Sequence, residues 1–323
     1  MKVRLFGILT LLLSSLSLSA LGQGDFQKGI SYYKQGQYAK AVQEFEQIVK
    51  QSPDYEAGYL VLGDSYLKLR QFEKAAQSFH KAIDLEGGKF VSYRGAAVAE
   101  YNLGRYQDVI ATLLKAEGLA GTAREKYQLF QLRGSAYYSL GRFRPAVRDL
   151  EQATSVQRTD KTALLQLGIS YYQLKEFDRA KTTLQQVLGL DPDLAEAKRF
   201  LSRLDYQEAL DAIREQRYQE AASQLTRVVQ ASPTDGEAWF NLGLAQLFSE
   251  DVDGALKSFL QSAQLLPENW ETHDRLGFIF ETKGQYAAAL QSYKKAAELN
   301  PGGTSPESVS RVEERIRRQR EGT

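Results

Sequence analysis

The residues that most often carry out chemistry are sparse in this 323-residue sequence and do not form a catalytic pattern. The two histidines, His80 and His273, lie far apart, and there is no cysteine. A zinc site needs several His, Cys or carboxylate ligands at short spacing. The chain also lacks the HExxH, GxSxG, GxxxxGK[ST] and GxGxxG motifs of zinc, acyl-transfer, phosphate and dinucleotide sites. We therefore predict no catalytic residue, no metal site and no cofactor.

Two further features resemble ion sites but are better explained as helix ends. The segment 250–254 (EDVDG) resembles half of a calcium loop, but it lacks the terminal Glu that completes such a loop. The glycine pairs Gly87-Gly88 and Gly302-Gly303 stand where helices are predicted to end, and Gly commonly caps a helix there. The abundant carboxylates fall on predicted solvent faces, where charge is usual. We therefore look for function in the surfaces that the predicted helices form together.

Composition predicts a packed, mostly helical protein without a strong electrostatic field. Helix-forming residues dominate and only seven prolines occur. The net charge is +1, which excludes attraction to nucleic acid or to an acidic membrane through overall charge. The absence of cysteine excludes disulfides, thiol catalysis and a lipoprotein anchor.

Residues 1–22 have the organisation of a secretory signal peptide. Lys2 and Arg4 form a basic start, residues 5–13 (LFGILTLLL) an apolar centre, and residues 14–22 an end rich in small residues. The apolar stretch is shorter than the roughly 20 residues that span a bilayer. We expect cleavage before Gln23 and a mature chain in the periplasm or outside a bacterial cell. An uncleaved leader is the alternative, and it is the only route by which we expect membrane attachment.

From Gln23 to about Gly303 the sequence repeats itself, mostly every 34 residues. A small residue, with one Val, recurs at Ala41, Ala75, Val109, Ala146, Ala180, Ala221, Ala255 and Ala289. Twelve residues before each stands another small residue, at Gly29, Gly63, Ala97, Gly134, Gly168, Ala209, Gly243 and Gly277. An aromatic residue precedes most members of the first series by three, and Pro often ends the unit.

These columns predict pairs of helices that cross closely. Gly or Ala at the crossing lets two backbones approach, aromatic side chains fill the gaps beside them, and Pro stops the second helix. The pattern resembles the tetratricopeptide repeat, here in eight copies over about 280 residues. The resemblance implies an all-α fold, a right-handed superhelical α-solenoid of antiparallel helix pairs. It weakens at the third and sixth copies, where Ala97, Val109 and Ala209 replace the usual residues.

Two insertions and a C-terminal segment divide the array. About three extra residues fall near 123–126, and seven at 195–201 extend one helix over about 194–215. We predict five repeats over 23–194, three over 195–304 with the lengthened first helix, and a capping helix within 305–323. In that helix Ser305 is the expected N-cap, and Val309, Val312 and Ile316 share one face opposite several arginines.

The resemblance also implies where a partner would bind, because first helices line a concave groove in such arrays. Most of the corresponding positions are apolar or Tyr, types that are enriched where proteins bind peptides. Packing of these side chains within the array itself is the alternative. The predicted groove residues are Arg94, Val98, Tyr101, Gln131, Tyr138, Ile169, Tyr172, Tyr206, Phe240, Leu244, Leu247 and Phe278.

We accordingly expect a non-enzymatic scaffold that binds a peptide or helix of another protein. Some members of the family hold a partner's C-terminal carboxylate with Lys, Asn and Arg, but Ile30, Val61 and Asp64 occupy the matching positions here. Two alternatives remain open. One is a self-associating component of an envelope assembly, and the other is a binder of envelope glycans or an enzyme accessory.

Overall fold

The computed structural model describes residues 20–86, 88–303 and 306–321. Most of the predicted leader lies outside this part of the chain, as do Gly87 and the expected N-cap Ser305. The described residues are helical and contain no strand, which confirms the all-α prediction. None of their helices is long and apolar enough to cross a membrane.

The chain divides into two compact units, and the boundary in the sequence falls between Asp191 and Pro192. Unit 1 contains α1 (Ala20–Lys34), α2 (Tyr38–Gln51), α3 (Glu56–Lys68), α4 (Phe72–Glu86), α5 (Phe90–Asn102), α6 (Tyr106–Lys115), a 3-10 turn (Glu117–Leu119), α7 (Ala123–Ser139), α8 (Phe143–Val156), α9 (Lys161–Gln173) and α10 (Phe177–Leu190). Unit 2 contains α11 (Ala195–Arg214), α12 (Tyr218–Ala231), α13 (Gly236–Phe248), α14 (Val252–Leu265), α15 (Trp270–Thr282), α16 (Tyr286–Leu299) and α17 (Pro306–Glu321).

Helices pair in chain order, α1 with α2 and so on to α15 with α16, and the small residues lie where the two helices cross. A Cβ added at Gly63 would stand 3.0 Å from the ring of Phe79, and one at Gly277 only 2.7 Å from the ring of Tyr293. Phe79 is 1% exposed, and burying such a side chain stabilises the fold by about 1.5–3 kcal/mol. The sequence columns therefore mark close helix crossings, each filled by a large side chain of the second helix.

The first helix of the third pair, α5, also packs closely on the preceding pair. Ala97 takes the Gly position in α5, and Gly95 stands half a turn earlier. A Cβ at Gly95 would lie 2.4 Å from the ring of Phe79 on α4, the same ring that Gly63 of α3 approaches. Gly95 therefore permits a close contact between pairs, which differs from the crossing of α5 with α6.

The turn inside each pair has one backbone conformation. In every pair, the residue seven positions after the small residue of the first helix has a φ between 59° and 75°. This is the left-handed region that favours Gly. Gly occupies this position in several pairs, whereas Arg70, Lys175, Gln216 and Glu250 adopt the same conformation in others. The packing of the pair thus imposes the turn even on residues that disfavour it.

Both insertions lie at the start of a first helix, in α7 and α11 respectively. The first lengthens the start of α7, where Thr122 and Glu125 form a reciprocal capping box. The second makes α11 a 20-residue helix. The 3-10 turn before α7 also places Glu117 beside Arg133, whose Nη1 donates to its carboxylate over 2.8 Å.

Arg133 is the largest fully buried side chain of the described core, and two carboxylates bind it. It is 1% exposed and forms a two-pronged pair with Asp149 of α8, Nε–Oδ2 2.6 Å and Nη2–Oδ1 3.0 Å. Together with Glu117 this gives a charge cluster inside the fourth pair. Most other pairs carry an apolar residue at the position of Arg133, such as Leu167.

The C-terminal helix α17 packs on α16 through the predicted face. Val312 is fully buried, and Val309 and Ile316 lie against the same cluster. The arginines opposite were predicted to cover the end in solvent, but Arg311 instead binds Glu281 of α15 with two hydrogen bonds of 2.8 and 2.9 Å. Tyr293 also donates a hydrogen bond to Glu281, so this carboxylate belongs to the end contact.

Candidate functional site

The inner face of each unit is the surface formed by its first helices. In unit 1, α3 contacts α5, α5 contacts α7, and α7 contacts α9; in unit 2, α11 contacts α13. Hydrogen bonds join these helices directly. Ser135 Oγ donates to Gln166 Oε1 over 2.7 Å, and Asn241 Nδ2 donates to the Tyr206 hydroxyl over 3.0 Å. First helices that touch across consecutive pairs lie on the inside of the stack, which is the surface that the sequence predicts for a partner.

The three tyrosines at the centre of the predicted groove are partly packed and partly exposed. Tyr101, Tyr138 and Tyr172 are each half-buried at the end of a first helix. Each lies against the aromatic residue that begins the second helix of its own pair, with ring centroids 5.2, 6.2 and 5.9 Å apart. Such contacts hold the rings in fixed positions. Rigid aromatic side chains that are half-exposed can contact a partner at low entropic cost, and that role stays a prediction.

The remaining predicted residues of unit 1 differ in burial. Val98 and Gln131 are half-buried, and Gln131 Nε2 donates to Ser135 Oγ over 3.3 Å. Ile169 is only 3% exposed and belongs to the core, so it offers little surface to a partner. Arg94 is 7% exposed, although it is a charged residue on the inner face.

Unit 2 presents a more apolar inner face. Tyr206, Leu244 and Leu247 are half-buried, and Phe278 is 48% exposed. Phe240 is an exception to the prediction, because it packs against Phe259 in the core with ring centroids 5.7 Å apart.

Sequence reasoning missed one exposed aromatic residue in unit 2. Phe248 ends α13, is 52% exposed and stacks on Tyr218 at 5.0 Å. Phe248 stands five positions after Gly243, whereas the predicted residues Leu244 and Leu247 stand one and four positions after it. Its aromatic type at the end of a first helix was the available signal.

Asp64 shows why the carboxylate clamp of related arrays is absent. It is 3% exposed on α3, and one of its oxygens accepts a hydrogen bond from the Tyr33 hydroxyl of α1. Burial raises the pKa of Asp64, because the charged carboxylate loses its hydration. A buried carboxyl that already accepts a hydrogen bond from Tyr33 cannot replace the amide of the clamp.

A second site that sequence reasoning missed lies on the side of the second helices in unit 1. A cleft of about 530 Å³ opens between α4 and α6, and Glu100 of α5 lies among its lining residues. Glu100 Oε1 is 2.7 Å from His80 Nε2 and accepts from Thr112 Oγ1 over 3.2 Å. The hydrogen bond to Glu100 raises the pKa of His80. The available signal was that Glu100 stands three residues after Ala97, where several other pairs carry Tyr.

The described residues offer no arrangement for a metal ion. They contain no group of three or more His, Asp or Glu side chains with ligand geometry. Within the calcium-like segment, Asp251 instead caps α14 by accepting from the Gly254 amide over 2.9 Å. His273 Nε2 lies 2.9 Å from the Pro267 carbonyl oxygen, far along the chain from His80.

Comparison with protein families gives matches over most of the chain. A tetratricopeptide repeat model matches residues 26–89, 60–124 and 206–269, which together are more than half of the sequence. Two further models with the same description match residues 137–204 and 270–302.

Curated relatives are similar at low identity. Human Protein O-mannosyl-transferase TMTC1 is 24% identical over 240 residues, covering 69% of this chain and 26% of that protein. DnaJ homolog subfamily C member 3 of Rattus norvegicus is 26% identical over 184 residues, covering 54% and 36%. Hsp70-Hsp90 organizing protein 2 of Arabidopsis thaliana is 22% identical over 227 residues, covering 68% and 37%. The matched region is thus well under half the length of each relative.

Solved structures give weaker similarity. MamA AMB-1 is 28% identical with a TM-score of 0.40, covering 56% of this chain and 95% of that one. The complex of the yeast Sti1 TPR2AB domain with pHSP90 matches at 19% identity with a TM-score of 0.44, covering 80% and 96%. The fold is accordingly assigned from the helices themselves.

Proposed function

The chain belongs to the tetratricopeptide repeat family, and we propose that it is an exported, non-enzymatic scaffold that holds a peptide or helix of another protein along its inner faces. We further propose that the array contains eight repeats behind a cleaved secretory leader. The partner would then be another protein of the bacterial periplasm or of the secreted fraction.

One observation carries this proposal: the inner faces present aromatic and apolar side chains that the chain's own helices only partly cover. Tyr101 and Tyr138 in unit 1 and Leu247, Phe248 and Phe278 in unit 2 are half-buried or exposed. Aromatic residues held in place by neighbours are the type that contributes most binding energy at protein interfaces. The names of two curated relatives, a DnaJ homolog and an Hsp70-Hsp90 organizing protein, agree with a role in protein assembly.

The test compares an inner-face residue with an equally exposed residue on a second helix. Phe278 of α15 and Leu260 of α14 are each 48% exposed. Full-length chains carrying Phe278→Gln or Leu260→Gln would be crosslinked in intact cells, and captured proteins would be identified by mass spectrometry. The dissociation constant of the captured protein would then be measured for each variant.

We expect Phe278→Gln to weaken binding about tenfold, as loss of a central aromatic contact does. Leu260→Gln should bind like the natural chain. Equal binding by both variants would contradict the inner-face proposal for unit 2. If light scattering shows that the captured protein is a second copy of this chain, the self-associating alternative replaces the scaffold.

A further inference from the structure

We propose that the inner face of unit 1 binds an acidic side chain of the partner segment, and that the Arg94 guanidinium receives its carboxylate. This inference rests on the proposed function, because it names the chemistry of one contact on the same inner face. It concerns an internal Asp or Glu of the partner and a position that differs from those of the C-terminal carboxylate clamp.

Arg94 is a buried cation to which the chain supplies no direct partner. It is 7% exposed on α5, yet within the described part of the chain its guanidinium makes no hydrogen bond and no ion pair. Other arginines against the core are paired: Arg133 with Asp149, Arg227 with Asp205 and Arg311 with Glu281. Because most of the Arg94 side chain is removed from water, an external carboxylate would supply the partner that the described residues do not.

The neighbouring acid does not meet this need. Asp64 of α3 interacts with Arg94 through space, but no ion pair joins the two groups among the described residues. One Asp64 oxygen accepts from Tyr33, and the other is enclosed without a hydrogen bond among the described residues. The hydroxyl of Tyr33 on α1, and not the guanidinium, is thus the hydrogen-bond donor to Asp64.

The charges that act on Arg94 are of both signs. Arg124 adds positive charge, whereas Asp64 and Glu125 add negative charge. Glu125 is engaged in the capping box of α7, and Asp64 accepts the hydrogen bond from Tyr33. A carboxylate carries the single negative charge that matches one guanidinium, and these acids would repel it less than a phosphate dianion.

The guanidinium is reachable although the side chain is buried. The enclosed and unpaired side-chain atoms of the described residues are oxygens of Glu56, Asp64, Ser92, Glu100 and Gln224, and no nitrogen of Arg94 is among them. Its stem is therefore covered while its donors still meet solvent, which is common for long cationic side chains. Val98, one turn further along α5, is half-buried and offers an apolar contact beside it.

The test is selection of peptides on the full-length chain. A random library of 12-residue peptides, displayed without free C-terminal carboxylates, would be selected on the natural chain. Enriched peptides would be synthesised with amidated ends, and each Asp or Glu would be changed to Asn or Gln. Their affinities would be measured for the natural chain, for Arg94→Gln and for Arg124→Gln, which removes an exposed cation of the same region.

We expect one acidic residue of each enriched peptide to matter, with its amide form binding about tenfold more weakly to the natural chain. Arg94→Gln should bind acidic and amide forms alike, and Arg124→Gln should retain most of the discrimination. If peptides bind without an acidic requirement, or if Arg94→Gln still discriminates, the inference is wrong while the proposed scaffold stands. If no peptide is enriched, the scaffold itself is contradicted, and the inference falls with it.

A thermal melt checks the alternative in which Arg94 serves only as the distant counter-ion of Asp64. Since Arg94→Gln removes an unpaired buried charge, its melting temperature should equal or exceed that of the natural chain. A melting temperature several degrees lower would show that Asp64 depends on Arg94 for stability, which would overturn the inference.

Discussion

One side-chain hydrogen bond recurs between neighbouring helix pairs in unit 1, from Tyr on a first helix to Glu on the preceding second helix. At one place the Glu is instead on the first helix. The hydroxyl of Tyr66 donates to Glu46, and that of Tyr171 donates to Glu151 over 2.5 Å. At the equivalent position between the second and third pairs, Glu100 stands on the first helix and His80 on the preceding second helix. The reversal replaces a phenol, which stays neutral near pH 7, by an imidazole that titrates there.

This substitution predicts a pH-dependent contribution to stability from His80. Because Glu100 raises the pKa of His80 above 6.5, the folded chain favours the protonated ring. The stabilisation is therefore complete below about pH 6.5 and is lost as the pH rises through the raised pKa. Lys115 opposes and Asp84 supports the protonated form.

Urea midpoints measured from about pH 5.5 to about pH 9 would show this loss in the natural chain. His80→Gln keeps a donor for Glu100 but does not titrate, so its profile should lack the step. Parallel profiles for the two chains would contradict this assignment. His273 is unchanged in both chains, so the comparison isolates the effect of His80.

The fourth helix pair is joined by a buried charge cluster at a position where most other pairs carry an apolar residue on the first helix. Arg133 stands immediately before Gly134, and Asp149 stands three residues after Ala146. At the same positions the fifth pair has Leu167 and Thr183. Buried ion pairs often contribute little net stability over apolar residues, because desolvation offsets their attraction. Removal of one partner is nevertheless costly.

We predict that Asp149→Thr alone destabilises the chain by about 3 kcal/mol, because Arg133 stays buried with only the half-exposed Glu117 as its partner. The double change Arg133→Leu with Asp149→Thr copies the fifth pair and should regain most of that stability. Urea unfolding of the two variants and the natural chain gives the comparison. A double variant no more stable than Asp149→Thr would show that the charge cluster has a structural role that apolar packing cannot replace.

At the scale of the whole molecule, each helix pair packs chiefly on its sequence neighbours within a unit, so the buried area grows with the number of pairs. The sequence contains no cysteine that could add a disulfide. The leader predicted at residues 1–22 is the feature on which the proposed export depends.

We predict that the chain isolated from a bacterial periplasm or culture medium begins at Gln23. Intact-mass measurement and N-terminal sequencing would establish this. Changing Ala20 to Arg places a large cation three residues before the expected cleavage site and should leave the leader uncut. A natural chain that retains Met1 and sediments with membranes would instead support the uncleaved alternative.

The amino-acid sequence alone determined the helix pairs, the long α11 and the packing face of α17. These depend on local spacing, since a small residue, Gly or Ala, recurs at a fixed interval where the paired helices cross. The tertiary structure alone decided which charges pair and which surface residues are covered. The sequence alone does not distinguish Arg133, Arg311 and Arg94. In the described structure the first two form hydrogen-bonded ion pairs with carboxylates, whereas the third does not. Whether two side chains meet depends on distances between residues 16 to 30 positions apart, and only packing sets those distances.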